Sequence, residues 1–205
     1  MKPAQTKQHK SRQKILDAAI RLIRINGYAA TSVDDLCVEA GLTKGSFFHH
    51  FKDKEALGVA AAQHWTAMTA PLFEGAPYHG KETALERVLD YIDFRKSIIR
   101  GELADFTCLA GTMAQELHTT HPAIARASGD AITGHAATLV GDIETAMEDS
   151  GKKFGFSAQS LALHTQAVLQ GGFILTKATG DIRQAEEAIS HLRRYVELLF
   201  AEEKS

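Results

Sequence analysis

Apolar side chains recur along this chain at intervals of three and four residues, which is the spacing of one face of an α-helix. Ile15, Ala18, Ala19, Leu22 and Ile23 follow that series and predict a helix over 11–26, ended by Gly27. The polar residues 1–9 before it read as a loose arm. Asp53 can cap a helix over 54–68 that carries Leu57, Val59 and Trp65, and Pro71, Gly75, Pro77 and Gly80 then predict a loop. A helix over 81–100 holds Leu85, Val88, Leu89, Ile92 and Ile99 in register before Gly101 breaks it. Leu109, Met113 and Leu117 lie four apart on a shorter helix over 108–119. His121-Pro122 opens another, with Pro122 near the first turn and Ile132, Ala136, Leu139, Ile143 and Met147 as one stripe. Residues 150–157 read as a turn, after which Ser157 can cap a long helix to Thr179. Gly180-Asp181 separates it from a last helix over 182–202, with Ala185, Ile189, Leu192, Val196 and Leu199 on one side. No strand alternation or internal repeat interrupts the pattern, so the expected fold is all-α with about nine helices.

The segment 31–51 is the most sharply punctuated. Ser32 can cap a helix with Asp35 three residues on, a capping box with Asp in place of Glu or Gln. Val33, Leu36 and Cys37 share one face, and Gly41 stands where a helix end often needs positive φ. Thr43 can cap a second helix over 44–51, with Phe47 and Phe51 on its inner side. On geometry alone this reads as an αα-hairpin of a bundle or as a helix-turn-helix whose second helix enters the DNA major groove.

The flanking residues add a resemblance. Arg12-Gln-Lys-Ile-Leu-Asp-Ala-Ala, Asn26-Gly-Tyr-Ala-Ala-Thr-Ser-Val-Asp-Asp-Leu and Ala40-Gly-Leu-Thr-Lys-Gly-Ser-Phe-Phe-His-His-Phe-Lys-Asp-Lys-Glu-Ala-Leu57 resemble the DNA-binding head of the TetR family of bacterial transcriptional regulators. The resemblance is ungapped over residues 12–57. It implies a DNA-binding domain over 9–68 and an effector-binding and dimerisation domain over 69–205. It also implies DNA contacts from Thr43, Lys44, Gly45, Ser46, Phe48, His49 and His50, with Thr31, Ser32 and Lys54 on phosphates. The chain departs from the family pattern at Phe48 and His50, where Tyr is usual. Phe48 lacks the hydroxyl that would reach a phosphate; it either meets a thymine methyl or packs, and packing is the expectation. Phosphate proximity would favour the charged forms of His49 and His50.

Composition narrows the class. A chain of 205 residues with 44% hydrophobic and 23% charged residues has the make-up of a soluble globular protein, and it has no apolar run long enough to span a membrane. The first ten residues lack the apolar core of a secretory signal, and Cys37 and Cys108 do not suggest a disulfide framework; both fit the cytoplasm. The net charge of −2 hides an asymmetry: residues 1–57 hold 10 Lys and Arg against 6 Asp and Glu, and the remainder 13 against 19. A basic head suits phosphate contact.

The resemblance extends to the body. The last two helices resemble the family's dimer-forming pair, which implies a homodimer joined through Gly171, Gly172, Leu192, Tyr195, Val196 and Leu199. The body is expected to hold an unidentified small-molecule effector, with Trp65, Phe94, Phe106, Met113, Leu169 and Phe173 as candidate lining or plain core. The stretch around Cys108, with Gln170-Gly-Gly-Phe-Ile-Leu-Thr-Lys177, is similar to a NemR-like subgroup of electrophile- and oxidant-responsive repressors. That similarity puts Cys108 and Lys177 on the positions of a sensing cysteine and a nearby lysine; the other reading is a small buried thiol. Cys37 is expected to be structural. His118 and His121 have i, i+3 spacing but no Cys or carboxylate at ligand spacing, so no metal and no cofactor are expected. No nucleophile elbow, P-loop or dinucleotide fingerprint suggests an enzyme. The leading expectation is a ligand-responsive repressor on a palindromic operator; the alternatives are a helical interaction module and an unrecognised helical enzyme.

Overall fold

A computed structural model describes residues 3–201, with the side chains of residues 3–8 outside the description. Eleven α-helices and one 3-10 turn make up the regular structure of those residues, with no strand among them. In order they are α1 (Pro3–Asn26), α2 (Val33–Ala40), α3 (Lys44–His50), α4 (Lys54–Glu74), the 3-10 turn Pro77–Gly80, α5 (Ala84–Ser97), α6 (Leu103–Phe106), α7 (Leu109–Leu117), α8 (Pro122–Ala137), α9 (Val140–Asp149), α10 (Ala158–Thr179) and α11 (Arg183–Phe200).

The punctuation read from the sequence does what it should at most boundaries. The Ser32 hydroxyl accepts from the Asp35 amide while the Asp35 carboxylate accepts from the Ser32 amide, closing the capping box. Gly41 takes φ +63°, where a Cβ would be strained, and its amide bonds back to α2. Thr43, Asp53 and Ser157 cap α3, α4 and α10. Thr83 and Glu86 form a second capping box, which moves the start of α5 from residue 81 to Ala84.

Four expectations are corrected. Residues 3–9 are helical and not a loose arm, while residues 1 and 2 lie outside the described residues: α1 starts at Pro3, a residue whose fixed φ suits a first helical position. Pro71 lies within α4, not in a loop, and the helix runs on to Glu74. The segment before Cys108 forms its own short helix, α6. The stripe from Ile132 to Met147 spans two helices, because the Thr138 amide and hydroxyl both bond to the His135 carbonyl and close the turn between α8 and α9. The last two features raise the count from nine to eleven.

The chain folds as two compact units. The first comprises the chain to Pro71 together with Leu103–Ala131. Ile15, Leu16, Ala19 and Ile23 of α1, Leu36 of α2, Phe47 of α3, Leu57 and Ala61 of α4, Leu109 and Met113 of α7 and Ile124 of α8 share its core. The packing unit is thus larger than an N-terminal head alone. Gly58 permits part of it: a Cβ there would meet Ile124 Cδ1 at 2.5 Å and Tyr28 Cε2 at 3.1 Å.

The second unit, Leu72–Glu102 with Ile132 onward, packs α10 on α11, α11 on α5, and α9 on α5 and α10. Tyr91, Ile92, Ile143, Leu169, Ile189 and Val196 are among its buried residues. Gly172 sets the approach of α10 to α11, since a Cβ there would lie 3.1 Å from the Ala185 Cα. Among the described residues, no helix is long and apolar enough to cross a membrane.

Candidate nucleic-acid interface

Helix α3 has seven residues, two turns, and could not persist in isolation. Its shape is imposed by Phe47 and Phe51, which are buried with ring centroids 5.7 Å apart against the core of the first unit. Burying that side turns the other outward. Thr43, Lys44, Gly45, Phe48 and His49 are exposed, and Ser46 and His50 are half-buried. Phe48 is 57% exposed, and its ring forms a T-shaped pair with Phe47 at 5.2 Å between centroids. The expectation that it packs holds only in part: the ring touches Phe47 and, one residue on around the helix, leaves most of its surface outward.

The flanking candidates divide by what they touch. Ser32 is exposed at the start of α2. Thr31 is buried, and its hydroxyl donates to the Gly27 carbonyl at 2.7 Å, so it secures the α1–α2 turn. Lys54 Nζ donates to the Ala29 carbonyl at 3.3 Å and sits 4.2 Å from the Tyr28 ring centroid, and partial burial lowers its pKa. The His50 ring is 2.6 Å from the Ser11 hydroxyl. Burial, then the neighbouring His49 and Arg12, push its pKa below the ordinary value, so in the free protein it stays neutral near pH 7. Lys44 Nζ pairs with Asp34 at 2.8 Å, both groups being exposed. Such a pair is worth roughly 0–1 kcal/mol and yields readily to a phosphate.

Sequence reasoning missed Asp34 and, more importantly, Glu116. The Glu116 carboxylate on α7 accepts from the backbone amides of Tyr28 and Ala29 at 2.6 and 2.7 Å. It thereby fixes the turn leading into α2. No local pattern could announce a carboxylate 87 residues away from the amide it binds.

The body candidates are placed as follows. Trp65, Phe106, Cys108 and Met113 belong to the first unit, and Phe94, Leu169, Phe173 and Lys177 to the second. Met113 is core, and Trp65 lies half-buried beneath the Arg24 guanidinium, 4.8 Å from its ring centroid. Arg24 also donates to the Ile20 and Thr107 carbonyls, and burial lowers its pKa to about 10. Phe106 and Cys108 are half-buried; the Cys108 sulfur caps α7 by accepting from the Gly111 amide at 3.4 Å. Cys37 is buried, and burial raises its thiol pKa. Phe94 lies 5.9 Å from both Phe73 and Tyr78, Leu169 and Phe173 are buried, and Lys177 is exposed.

Of the dimerisation candidates, Gly172, Leu192 and Val196 are buried within the protomer itself. Gly171 and Leu199 are half-buried, and Tyr195 is 42% exposed. The apolar surface these helices present comes instead from Leu163, Ile174 and Leu175 of α10 and Leu198 of α11, the last 75% exposed. A second stripe on α10, Leu163, Ala167, Gly171, Ile174 and Ala178, carries that signal at helical spacing.

Residues 15–61 match the family described as bacterial regulatory proteins, tetR family, and residues 84–192 match a tetracyclin repressor-like C-terminal domain. The HTH-type transcriptional regulator YerO of Bacillus subtilis is 36% identical over 61 residues, 30% of this chain but only 21% of YerO. The alignment to the HTH-type transcriptional repressor NemR of Escherichia coli K12 is longer, 23% identical over 192 residues, 92% of this chain and 95% of NemR. In structure, the reduced form of E. coli NemR superposes with a TM-score of 0.71 at 23% identity over 90% of this chain and 96% of that one. A TetR transcriptional regulator from Chloroflexus aurantiacus reaches 0.80 at 23% identity, over 93% and 96%.

Proposed function

This chain belongs to the TetR family of bacterial DNA-binding transcriptional regulators, and from that membership we propose that it is a cytoplasmic, homodimeric repressor released from a palindromic operator by a small molecule. The observation that carries the proposal is the orientation of α3. Its Phe47 and Phe51 side is held in the core while Lys44, Phe48 and His49 stand outward on the two-turn helix. A helix so presented fits the major groove, with Lys44 at its N-terminal turn for a base edge or phosphate, and Phe48 free to meet a thymine methyl. Thr31 and Lys54 hold the Gly27–Ala29 turn that leads into α2, and His50 ties α3 to Ser11 of α1.

The functional division proposed is a DNA-binding domain over 9–68 and an effector and dimer domain over 69–205. A two-fold operator needs two heads about one helical turn apart, which a dimer provides. The exposed Leu163, Ile174, Leu175, Tyr195 and Leu198 supply apolar surface for such a partner. Release follows if the effector binds more tightly to the conformation with mismatched heads. Helix α4 runs from one unit into the other, and Glu116 ties α7 to the turn before α2; both are routes for that coupling.

The test is binding of the purified protein to DNA upstream of its own gene. Lys44→Ala is expected to weaken specific binding and to lower the slope of log affinity against log salt by about one. An unchanged slope and affinity would remove Lys44 from the interface. A second arm treats the complex with a thiol-alkylating electrophile. Dissociation that Cys108→Ser prevents is the expected result for a cysteine sensor at the start of α7. Dissociation that Cys108→Ser leaves intact would return Cys108 to a purely capping role.

A further inference from the structure

The second unit contains a polar cluster that the DNA-binding reading does not use. Gln166 Nε2 on α10 donates to the Tyr91 hydroxyl on α5 at 3.1 Å. The Tyr91 hydroxyl lies 2.9 Å from His135 Nε2 on α8, and Arg95 Nη1, one turn along α5, lies 3.2 Å from the same nitrogen. Arg95 can only donate. Nε2 is therefore the accepting nitrogen and the ring proton sits on Nδ1, a tautomer assigned from the network. Burial and the Arg95 charge hold the His135 pKa down at about 4, so the imidazole is neutral. The cluster carries one full positive charge, on Arg95.

Among the described residues that charge has no carboxylate against it. None of the ion pairs among the described residues uses Arg95. Its Nε is buried and donates to nothing among the described residues. The guanidinium lies 5.2 Å from the Phe73 ring centroid, which offers a π face but no acceptor for Nε. A buried donor on a cation without a partner is costly and calls for an acceptor from outside the described residues. Aromatic walls surround it: Phe73 lies 5.9 Å from Phe94 and 4.4 Å from the His135 ring, and Tyr78 lies 5.5 Å edge-on to Tyr91. Arg95 as a residue is half-buried while its Nε is covered, so a ligand that takes Nε must displace the atoms over it.

We propose that this cluster is the anion-binding end of an effector site, and that the effector is a monocarboxylate with a flat aromatic or apolar body. The carboxylate takes the Nε edge of the Arg95 fork, where a planar guanidinium matches a carboxylate in geometry. One negative charge balances one positive charge. A phosphate dianion would leave a net negative charge among aromatic rings, which disfavours it. The body of the ligand lies along Phe73, Phe94 and Tyr78, and neutral His135 and Tyr91 hold the guanidinium in place. The inference rests on the effector-regulated reading above and gives its ligand class.

The test titrates the full-length protein calorimetrically with benzoate, cinnamate and 2-naphthoate, each beside its uncharged primary amide. At least one acid is expected to bind about ten- to a hundred-fold more tightly than its amide, the worth of a charge-assisted hydrogen-bonded pair. Arg95→Gln is expected to abolish the acid preference, and Arg95→Lys to retain part of it, with helical circular dichroism intact in both. Equal affinities within every acid–amide pair, or a preference that survives Arg95→Gln, overturns the proposal. Operator binding is measured separately on the same protein. Acid binding without operator binding would defeat the repressor reading while leaving the anion site, and operator binding without an acid preference would do the reverse.

Discussion

Phe47→Ala is expected to destabilise the first unit by about 3–5 kcal/mol, the usual cost of truncating a fully buried Phe, and to abolish operator binding. Phe47 is fully buried, with the Phe51 ring 5.7 Å away and the residues of α1, α2 and α4 around it. Helix α3 has seven residues and draws its stability from that docking. Removing the ring leaves a cavity at the most deeply buried of the places where α3 is fastened. A domain is held by roughly 5–15 kcal/mol in all, so the loss is a large fraction of what is available. Because α3 is a small part of the helical content, far-UV circular dichroism should change little under conditions in which the DNA complex is already lost. Chemical denaturation measures the first effect and a gel-shift titration the second. The neighbouring Phe48→Ala is the informative control: its ring is 57% exposed, so stability should move by about 0.5 kcal/mol or less while DNA affinity falls. If both variants lose stability equally, the inward and outward sides of α3 have been assigned wrongly.

The same two residues show what could be read from the chain. The helix-turn-helix was legible because its signals are local: Ser32 with Asp35, Gly41 at positive φ, Thr43 as a cap, and Phe47 and Phe51 one turn apart. Phe48 points mostly outward because helical phase puts residue 48 about a quarter-turn from Phe47, and the lack of a hydroxyl has no bearing on that direction. In the body, the stripe through Leu192 and Val196 is apolar as its spacing predicts, yet its partner is the protomer's own core. A strongly apolar face says that something covers it and not what. The outward stripe of α10 is weaker because Ala and Gly dilute it, although its spacing is just as regular. The Glu116 clamp and the Arg95 cluster lay out of reach for another reason. Each joins residues from helices distant in sequence, and each consists of single polar side chains on otherwise ordinary amphipathic helices. Periodicity finds faces, not individual polar partners across a fold.

Buried polar groups also set the second large expectation, a loss of stability in mild acid that depends on His135. Its pKa in the folded protein is about 4 against the ordinary 6.5. The causes are desolvation first and the Arg95 charge second. The folded state therefore refuses a proton that the unfolded chain accepts. Above about pH 6.5 neither state is protonated and the stability is fully present. As pH falls from 6.5 towards 4, protons bind the unfolded chain preferentially, and stability declines by up to about 3 kcal/mol at 1.36 kcal/mol per pKa unit. Carboxylates titrate over the lower part of this range too, so the readout is the difference between the wild type and His135→Gln. Glutamine stays neutral throughout and can still accept from Arg95 Nη1 and the Tyr91 hydroxyl. Urea unfolding at pH 7.5, 6.0 and 4.5 should show the two proteins converging, with the wild type losing about 2–3 kcal/mol more than the variant by pH 4.5. Parallel curves would mean that the imidazole is already solvated, and that Arg95 does not rely on a neutral acceptor beside it. Convergence would mean that a charged His135 and a charged Arg95 cannot share this aromatic setting, 3.2 Å apart, without an anion between them. In that case an acid ligand should lessen the loss at pH 4.5, since it supplies the negative charge that both cations lack.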